Sequence, residues 1–298
     1  MDGVLLLNKP IGMTSHDCVM KIRKMFKTKK VGHTGTLDPD VSGVLPICIG
    51  KATKIVEFLT AERKTYEGEV TLGVATTTED ASGEVVAERK IERPLTRKEI
   101  LSALEKLTGE IEQIPPMYSA IKVNGKKLYE YARAGIEIER PKRKVTVYEL
   151  ELLDNREQFM GETISFRFRV TCSKGTYVRT LAVMIGEQLG YPAHMSDLIR
   201  TASGSFTLEQ CVTFEQIEQK MNENAHQDLL LSIEQALSHL PKYEISDKVA
   251  EKVKNGAVLP APSTFQEKML VVNAHHEALA LYIPHPTKPN YIKPLKVF

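Results

Sequence analysis

Three side chains that could act in catalysis or bind a cation lie in a glycine-rich stretch, VGHTGTLDPDVSGVLPICIGKATK, at residues 31–54. They are His33, Asp38 and Asp40. A carboxylate can attack carbon, accept a proton or bind a cation, and a histidine can transfer a proton. Glycines let a backbone approach a ligand closely. The stretch therefore has four interpretations: a phosphate-binding loop, a metal-binding loop, the support of a catalytic carboxylate, or an ordinary turn.

Residue spacing disfavours the first two interpretations. A P-loop reads G-x-x-x-x-G-K-[ST], whereas Gly50-Lys51 is followed by Ala52 and no glycine stands at the upstream position. A magnesium site at Asp38 and Asp40 would lack a third carboxylate nearby in the sequence. A phosphatase-like Asp-x-Asp pair should follow a buried apolar strand, and GHTGTL is not one. A turn capped by Asp38 and a catalytic carboxylate both stay open.

Three features elsewhere in the chain favour a functional site. Tyr66 begins a strand whose other inward residues are apolar, so its hydroxyl needs a partner or a ligand. Tyr177 and Arg179, in CSKGTYVRT, stand at a predicted helix start, where backbone N–H groups favour anions. Arg179 is either a surface arginine or the partner that keeps a carboxylate ionised. The segment MYSAIKVNGKKLYEYARAG is a third concentration of tyrosine, lysine and glycine.

Three basic runs indicate a polyanionic partner, although the formal net charge is only +2. KIRKMFKTKK, at residues 21–30, holds six basic residues in ten, and KVNGKK (122–127) and RPKRK (140–144) are also basic. A single run of this kind is usually a solvated face. Three runs, with tyrosines bracketing the second, favour an electrostatic surface for a nucleic acid.

The elements that must position these residues follow from hydrophobic periodicity and from helix end signals. Helices are predicted at 15–26 behind a Thr14/Ser15 cap, at 96–109 behind a Thr96–Glu99 capping box, and from the turn at Gly175 to 190. Strands are predicted at 66–74, 145–153 and 163–173. This irregular alternation predicts an α+β fold with a mixed, largely antiparallel sheet flanked by helices.

The character of the chain changes after about residue 235. A short helix capped by Ser246 and ended by Asn255-Gly256 is followed by two short strands, EKMLVVN and EALALYI, and by a tail rich in proline and lysine. We predict a large domain over 1–235 and a compact β-rich module over 241–298.

Composition narrows the class of protein. Hydrophobic residues make up 42% and charged residues 26% of the chain, which is typical of globular proteins, and no apolar run approaches the 18 residues of a membrane span. The start, MDGVLLLNKP, lacks the basic segment of a signal peptide. The four cysteines form no CxxC pair, which argues against a zinc site and against a secreted disulfide framework. We therefore expect a cytoplasmic protein without a metal.

Four long motifs resemble the TruB family of tRNA pseudouridine synthases. They are GHTGTLDPDVSGVLPICIGKATK, KTYEGEVTLG, IPPMYSAIKVNGKKLYEYARAG and CSKGTYVRTLA, and they occur in family order behind LNKPIGMTSHD. The resemblance covers about residues 1–215. The tail resembles the small PUA-type RNA-binding module of many members. The stand-alone bacterial enzymes are a better match than the guide-RNA relatives, because long basic extensions are lacking.

The resemblance implies the pseudouridine synthase fold and the isomerisation of uridine 55, in the T-loop of tRNA, to pseudouridine. The N1–C1′ bond breaks, the uracil rotates, and C5 joins C1′. Bonds are exchanged within one nucleotide, so no cofactor, metal or energy source is implied. The implied partner is the T-arm of tRNA, with no membrane and no required protein partner.

The resemblance also implies a division of roles for the acidic loop. Asp38 matches the catalytic carboxylate, which either attacks C1′ or removes a ribose proton, and Arg179 is its implied counter-charge. Asp40-Val41-Ser42 stands where relatives often carry a leucine-alanine-threonine run, so Asp40 is not expected to be catalytic. On the residues alone, an RNA-binding protein without catalysis and a metal-dependent enzyme using Asp38 and Asp40 stay open.

Further residues are assigned to substrate binding by the same resemblance. Tyr66 would stack on the uracil near C5, and Tyr177 and Leu198 would line the site of the everted base. His33 would enter the T-loop of the tRNA, which is disturbed when the uridine is everted, and would stack in place of the displaced bases. Lys9 and the 21–30 run would contact the RNA backbone.

Overall fold

The computed structural model describes residues 1–298. The α-helices are α1 (Ser15–Met25), α2 (Val56–Ala61), α3 (Arg97–Lys106), α4 (Leu128–Arg133), α5 (Val178–Leu189), α6 (Phe214–Asn222), α7 (Ile233–Ala236) and α8 (Asp247–Lys254). The strands are β1 (Gly3–Lys9), β2 (Val31–His33), β3 (Ser42–Ile49), β4 (Lys64–Leu72), β5 (Val74–Thr76), β6 (Val85–Glu88), β7 (Leu95–Thr96), β8 (Gly109–Gln113), β9 (Lys122–Val123), β10 (Lys126–Lys127), β11 (Arg143–Leu152), β12 (Gln158–Phe159), β13 (Ile164–Cys172), β14 (Ala193–Ser203), β15 (Phe206–Thr207), β16 (Leu230–Leu231), β17 (Lys242–Ile245), β18 (Leu259–Pro260), β19 (Met269–Asn273), β20 (Ala278–Pro284) and β21 (Tyr291–Val297).

The chain divides into two compact units. The first unit contains residues 1–39, 44–60 and 205–298, and the second unit contains residues 40–43 and 61–204. The domain boundaries that the sequence indicates, 1–235 and 241–298, stay a prediction. No helix has both the length and the apolar character that crossing a membrane would require.

The second unit is built on five antiparallel strands in the order β14-β4-β13-β11-β8. At one edge Ser42 and Gly43, the first residues of β3, pair in parallel with Ile199 and Arg200 of β14. Helix α5 packs on β14 and β4, and α3 packs on β11 and on α5. The predicted α+β class, with a mixed and largely antiparallel sheet flanked by helices, is therefore confirmed.

Strict alternation in β13 explains how this sheet makes a core. Its five inward residues, from Ile164 to Cys172, are all buried, while Arg167 and Arg169 point outward and pair with acidic residues of β14 and β4, respectively. The prediction for 66–74 is wrong at its end: β4 stops at Leu72 because Gly73 adopts a φ of 104°. Val74 begins a separate hairpin with β6.

In the first unit α1 covers strands β1, β2 and β3. The helix begins behind Thr14, whose hydroxyl accepts a hydrogen bond from the Asp17 amide while the Asp17 carboxylate accepts one from the Thr14 amide. This capping box supports the predicted start. The inward face of the helix, with Val19 and Ile22, joins Leu5, Leu7, Leu45, Ile47 and Ile49 of the strands in one apolar cluster.

The C-terminal strands form a separate five-stranded sheet in the order β17-β19-β20-β21-β18, crossed by α8. The expected small β-rich module is therefore present. One face of this sheet shares an apolar cluster with the N-terminal segment of the same unit. The cluster contains Leu270, Val272 and Leu281 of the module together with Val4, Leu6, Ala52 and Ile55.

Candidate active site

Asp38 lies in the loop between β2 and β3, and the residues on both sides of it are fixed. The Ser15 hydroxyl accepts a hydrogen bond from the Leu37 amide at 2.8 Å and donates one to the Leu37 carbonyl at 3.2 Å. On the other side, the Pro39 carbonyl accepts from the Lys9 ammonium at 3.1 Å and from the Gly12 amide at 2.9 Å. Asp38 itself is half-buried on this anchored backbone.

Lys9 does not have the exposure that an RNA contact requires. Its side chain is completely buried at the end of β1, and its ammonium donates to the Pro10 and Pro39 carbonyls. A charge so far from water is stabilised by such charge-assisted hydrogen bonds. The expectation that Lys9 touches the RNA backbone is therefore wrong, and its position indicates that it supports the Asp38 loop.

The two other residues of the opening stretch differ in exposure. His33 ends β2, opposite Ile47 of β3, and is half-buried. Asp40 is exposed to solvent. The chain contains no group of three or more histidine, cysteine, aspartate or glutamate side chains that could hold a metal ion.

Tyr66 and Leu198 lie on adjacent strands of the second unit. Tyr66, in β4, pairs with Arg200 of β14, and Leu198 pairs with Gly68 of β4. A Cβ at position 68 would stand 3.0 Å from the Leu198 side chain, so glycine leaves room for this leucine over the strand. Leu198 is 7% exposed and Tyr66 is half-buried.

Two buried cations lie beside Tyr66 on the same strands. The Arg200 guanidinium carbon stands 6.0 Å from the centre of the Tyr66 ring. Lys64 precedes Tyr66 by two residues in β4, and its ammonium donates to the Glu62 carbonyl at 2.6 Å. Burial, reinforced by the charge of Arg200, lowers the pKa of Lys64 to about 8.

Tyr177 is the N-cap residue of α5, two residues after Gly175, whose φ is 83°. Its own side chain does not cap the helix. The buried Gln113 side chain instead bonds to both backbone polar groups of Tyr177, accepting from the amide at 2.9 Å and donating to the carbonyl at 3.1 Å. Sequence reasoning missed Gln113, because a glutamine at the end of an exposed-looking strand, GEIEQ, carries no local signal of burial.

Arg179 is buried in the first turn of α5 and is held by groups from two loops. Its guanidinium donates to the Thr78 carbonyl at 2.9 Å and to the Tyr118 carbonyl at 3.0 Å, and it stands 3.6 Å from the Asp80 carboxylate. A surface role for Arg179 is therefore excluded. No local sequence signal marks Asp80 as a partner of Arg179, although TTTED combines hydroxyl and carboxylate groups.

Glu79 adds a second carboxylate at the start of α5. It adopts a φ of 64°, which is uncommon for a residue other than glycine. Its carboxylate accepts a hydrogen bond of 2.6 Å from the Thr180 hydroxyl. Burial raises the pKa of Glu79, and the Thr180 hydroxyl and the charge of Arg179 oppose that rise.

The three basic runs differ in how available their charges are. In the first run, Lys21 pairs with Glu218 and Arg23 donates to a backbone carbonyl, which leaves four exposed lysines: Lys24, Lys27, Lys29 and Lys30. The second run forms a β9–β10 hairpin with two exposed lysines, Lys122 and Lys126. In the third run, two of the four basic residues, Lys142 and Lys144, pair with glutamates of β8.

Comparison with known proteins gives consistent matches along the chain. The model of the TruB family pseudouridylate synthase N-terminal domain matches residues 23–178, and that of the tRNA pseudouridylate synthase B C-terminal domain matches residues 179–238. The chain is 69% identical to a tRNA pseudouridine synthase B of Geobacillus thermodenitrificans, and the match covers all of both proteins. It is 62% identical to that of Bacillus cytotoxicus, covering all of this chain and 97% of the relative.

A solved structure extends the similarity to the fold. The chain is similar to one in the crystal structure of a Cbf5-Nop10-Gar1 complex, with a TM-score of 0.74 and 30% identity, over 99% of this chain and 84% of the other. The two family models and the full-length relatives lead to one conclusion. The chain belongs to the TruB family of pseudouridylate synthases, which are isomerases.

Proposed function

We propose that this protein isomerises uridine 55, in the T-arm of tRNA, to pseudouridine, with Asp38 as the catalytic carboxylate. Relatives that match the chain over its whole length are named tRNA pseudouridine synthase B, which supports tRNA as the substrate. The main support for the catalytic role of Asp38 is that its loop is anchored. Leu37 and Pro39, on either side of it, are both fixed by hydrogen bonds from α1, β1 and the segment between them.

The anchored loop fits the chemistry of the isomerisation. The N1–C1′ bond breaks, the uracil rotates, a C5–C1′ bond forms, and the proton on C5 is replaced by one on N1. Asp38 either attacks C1′ or removes a ribose proton, and both roles need an ionised carboxylate held close to the ribose. Fixing the backbone on both sides of Asp38 reduces the entropy lost when the carboxylate is aligned with its target.

The substrate uridine must leave the folded T-loop before it reacts. Everting a base costs about a few kcal/mol, which contacts to the everted nucleotide must offset. We assign stacking on the uracil to Tyr66, and contact with the base to Tyr177 and Leu198. Arg179 keeps a carboxylate ionised in the site, and His33 takes the place of displaced bases in the T-loop.

The enzyme is proposed to act in the cytoplasm and without a protein partner. The curated relatives match the full length of the chain under the name of a single enzyme. The Cbf5 chain, which was solved with Nop10 and Gar1, has additional length that this chain does not cover.

The decisive test compares Asp38→Asn with Asp40→Asn. Both variants remove one carboxylate charge from the same loop, but only Asp38 has the catalytic role. Single-turnover pseudouridine formation on T-arm RNA, mapped chemically, should fall by about 10²-fold or more for Asp38→Asn and stay near the wild-type rate for Asp40→Asn. Filter binding should give similar tRNA affinities for both.

Three outcomes would redirect the proposal. Activity that survives in Asp38→Asn contradicts the role of this carboxylate. A wild-type protein that binds T-arm RNA without forming pseudouridine indicates an RNA-binding protein without catalysis. Loss of activity in excess EDTA indicates a metal-dependent reaction.

A further inference from the structure

A single buried side chain holds the backbone of Tyr177, in addition to the helix hydrogen bond that its carbonyl accepts from the Leu181 amide at 3.0 Å. Gln113, the last residue of β8, is 2% exposed. Its Oε1 accepts from the Tyr177 amide at 2.9 Å, and its Nε2 donates to the Tyr177 carbonyl at 3.1 Å. Nε2 also approaches the sulfur of Met184 at 3.9 Å. The side-chain amide thus pairs with one residue as a neighbouring strand would, using both a donor and an acceptor.

This pairing fixes the direction in which the Tyr177 side chain leaves the backbone. Tyr177 has an extended conformation, with φ −96° and ψ 109°, between the turn at Gly175 and the first turn of α5. Such an N-cap position is normally fixed by its own side chain, which bonds to the helix. The side chain of Tyr177 makes no such bond, and the Gln113 side chain holds this N-cap residue through its backbone instead.

The segment that starts at Gln113 also holds the second predicted site residue of α5. Five residues after Gln113, the Tyr118 carbonyl accepts a hydrogen bond from Arg179 at 3.0 Å. Between them, the Pro115 carbonyl accepts from Arg140 at 2.9 Å. Residues 113–118 therefore contact both Tyr177 and Arg179, and Gln113 is the part of the segment that acts on Tyr177.

We propose that Gln113 is a positioning residue of the isomerisation, which sets the Tyr177 ring against the everted uracil by pairing with the Tyr177 backbone. The inference rests on the proposed function, in which Tyr177 contacts that base. Gln113 does not touch the substrate in this proposal. Its loss should therefore lower the rate of the chemical step and leave tRNA affinity nearly unchanged, because displacing a contact group by about 1 Å can cost about 10²-fold in rate.

Gln113→Glu gives a readout that a merely structural role would not give. An ionised glutamate can still accept from the Tyr177 amide, but it sets a second oxygen against the Tyr177 carbonyl. A protonated glutamate restores the missing donor, and burial favours the protonated form. Single-turnover rates on T-arm RNA should therefore fall by about 10-fold to 10²-fold at pH 8. They should recover towards the wild-type rate as the pH is lowered to about 6, since a buried carboxyl titrates above its usual range.

Gln216→Glu, at an exposed glutamine that also bonds to the backbone of a helix N-cap residue, is the control. Gln216, in α6, accepts from the Thr213 amide at 2.8 Å through Oε1. Glutamate at this position keeps the hydrogen bond that the side-chain oxygen accepts in the capping box. The single-turnover rate of Gln216→Glu should therefore follow the wild-type pH profile. A second variant, Gln113→Met, keeps the length of the side chain and removes both hydrogen bonds. It should lose rate by a similar factor at every pH, with tRNA affinity within about threefold of wild type.

The outcomes distinguish the role of Gln113 from the proposed function of the protein. A Gln113→Glu rate that follows the wild-type pH profile, or a Gln113→Met variant with wild-type turnover, overturns the role of Gln113. Weaker tRNA binding with an unchanged single-turnover rate also overturns it. If wild-type protein forms no pseudouridine, the proposed function itself fails. If Gln113→Glu does not fold at pH 8, Gln113→Met and the wild type decide the question.

Discussion

Lys64, a single buried charge near the predicted site, makes the stability of the folded protein depend on pH. It is 5% exposed, and burial is the main reason that its pKa falls from 10.5 to about 8. In the unfolded chain this lysine titrates at its ordinary value. Below pH 8 the lysine is charged in both states, so the folded protein bears the full cost of burying the charge. Between pH 8 and 10.5 the unfolded chain binds more protons, so stability rises with pH.

We predict that this single group contributes a pH-dependent term of about 3 kcal/mol, since each unit of pKa difference corresponds to about 1.4 kcal/mol. The free energy of unfolding in urea should be measured for wild type and for Lys64→Met between pH 7.5 and 10.5. The advantage of Lys64→Met should shrink as the pH rises. A difference that stays constant across this range would show that Lys64 has an ordinary pKa in the folded protein.

At the scale of elements, the start of α1 controls the loop that carries Asp38. The hydroxyl of Ser15, the first residue of the helix, is 22 positions from Leu37 in sequence and bonds to both backbone groups of that residue. Ser15 is 1% exposed, so water does not replace these bonds when the hydroxyl is removed. Helix α1 therefore fixes the backbone of Leu37, the residue before Asp38.

Ser15→Ala should reduce both stability and turnover. Leaving buried backbone groups without a partner costs about 1–3 kcal/mol, and a loosened Asp38 loop slows the chemical step. Thr213→Ala, which removes the capping hydroxyl of α6, is the control, with a stability cost of about 1 kcal/mol and no loss of turnover. Chemical denaturation and single-turnover rates would measure both effects. Equal turnover in the two variants would mean that Ser15 does not hold the Asp38 loop.

At the scale of the molecule, the C-terminal sheet is part of the core of the first unit. Leu270 and Leu281 are fully buried in a cluster that includes Val4 and Ala52. Polar contacts add to this packing, since Lys54 donates to the Val297 carbonyl and Lys296 pairs with Glu57. An RNA-binding role for the module cannot therefore be separated from its role in packing by simply removing it.

We predict that a chain ending at residue 240 loses stability as well as tRNA affinity. Removing the C-terminal module exposes the apolar faces of Val4, Leu6 and Ala52. Replacing a single buried leucine by alanine costs about 2–5 kcal/mol, and the truncation removes several such contacts. The matched variant Lys252→Glu/Lys288→Glu changes only exposed charges of the module and should keep the wild-type denaturation midpoint. If the truncated chain is as stable as wild type, the shared cluster contributes little to folding.

Part of the fold could be predicted because its signals lie within a few residues of each other. The alternation in β13, the Thr14/Ser15 cap before α1, the capping box before α3 and the turn at Gly175 are local patterns, and each predicted the correct element. Element ends were less well predicted. Helix α3 ends at Lys106, three residues before Gly109, because that glycine already begins β8.

The family could be recognised from the sequence, through motifs long enough to be specific, and with it the expected chemistry of Asp38. How the predicted residues are held depends on contacts between distant segments, which the tertiary structure shows. The packing of the elements buries Lys9 in the interior, and it brings Gln113 to Tyr177 across 64 positions of sequence. Burial and hydrogen bonds between distant segments depend on how elements pack together. Neither leaves a periodic pattern at the residue concerned, so local sequence could not reveal them.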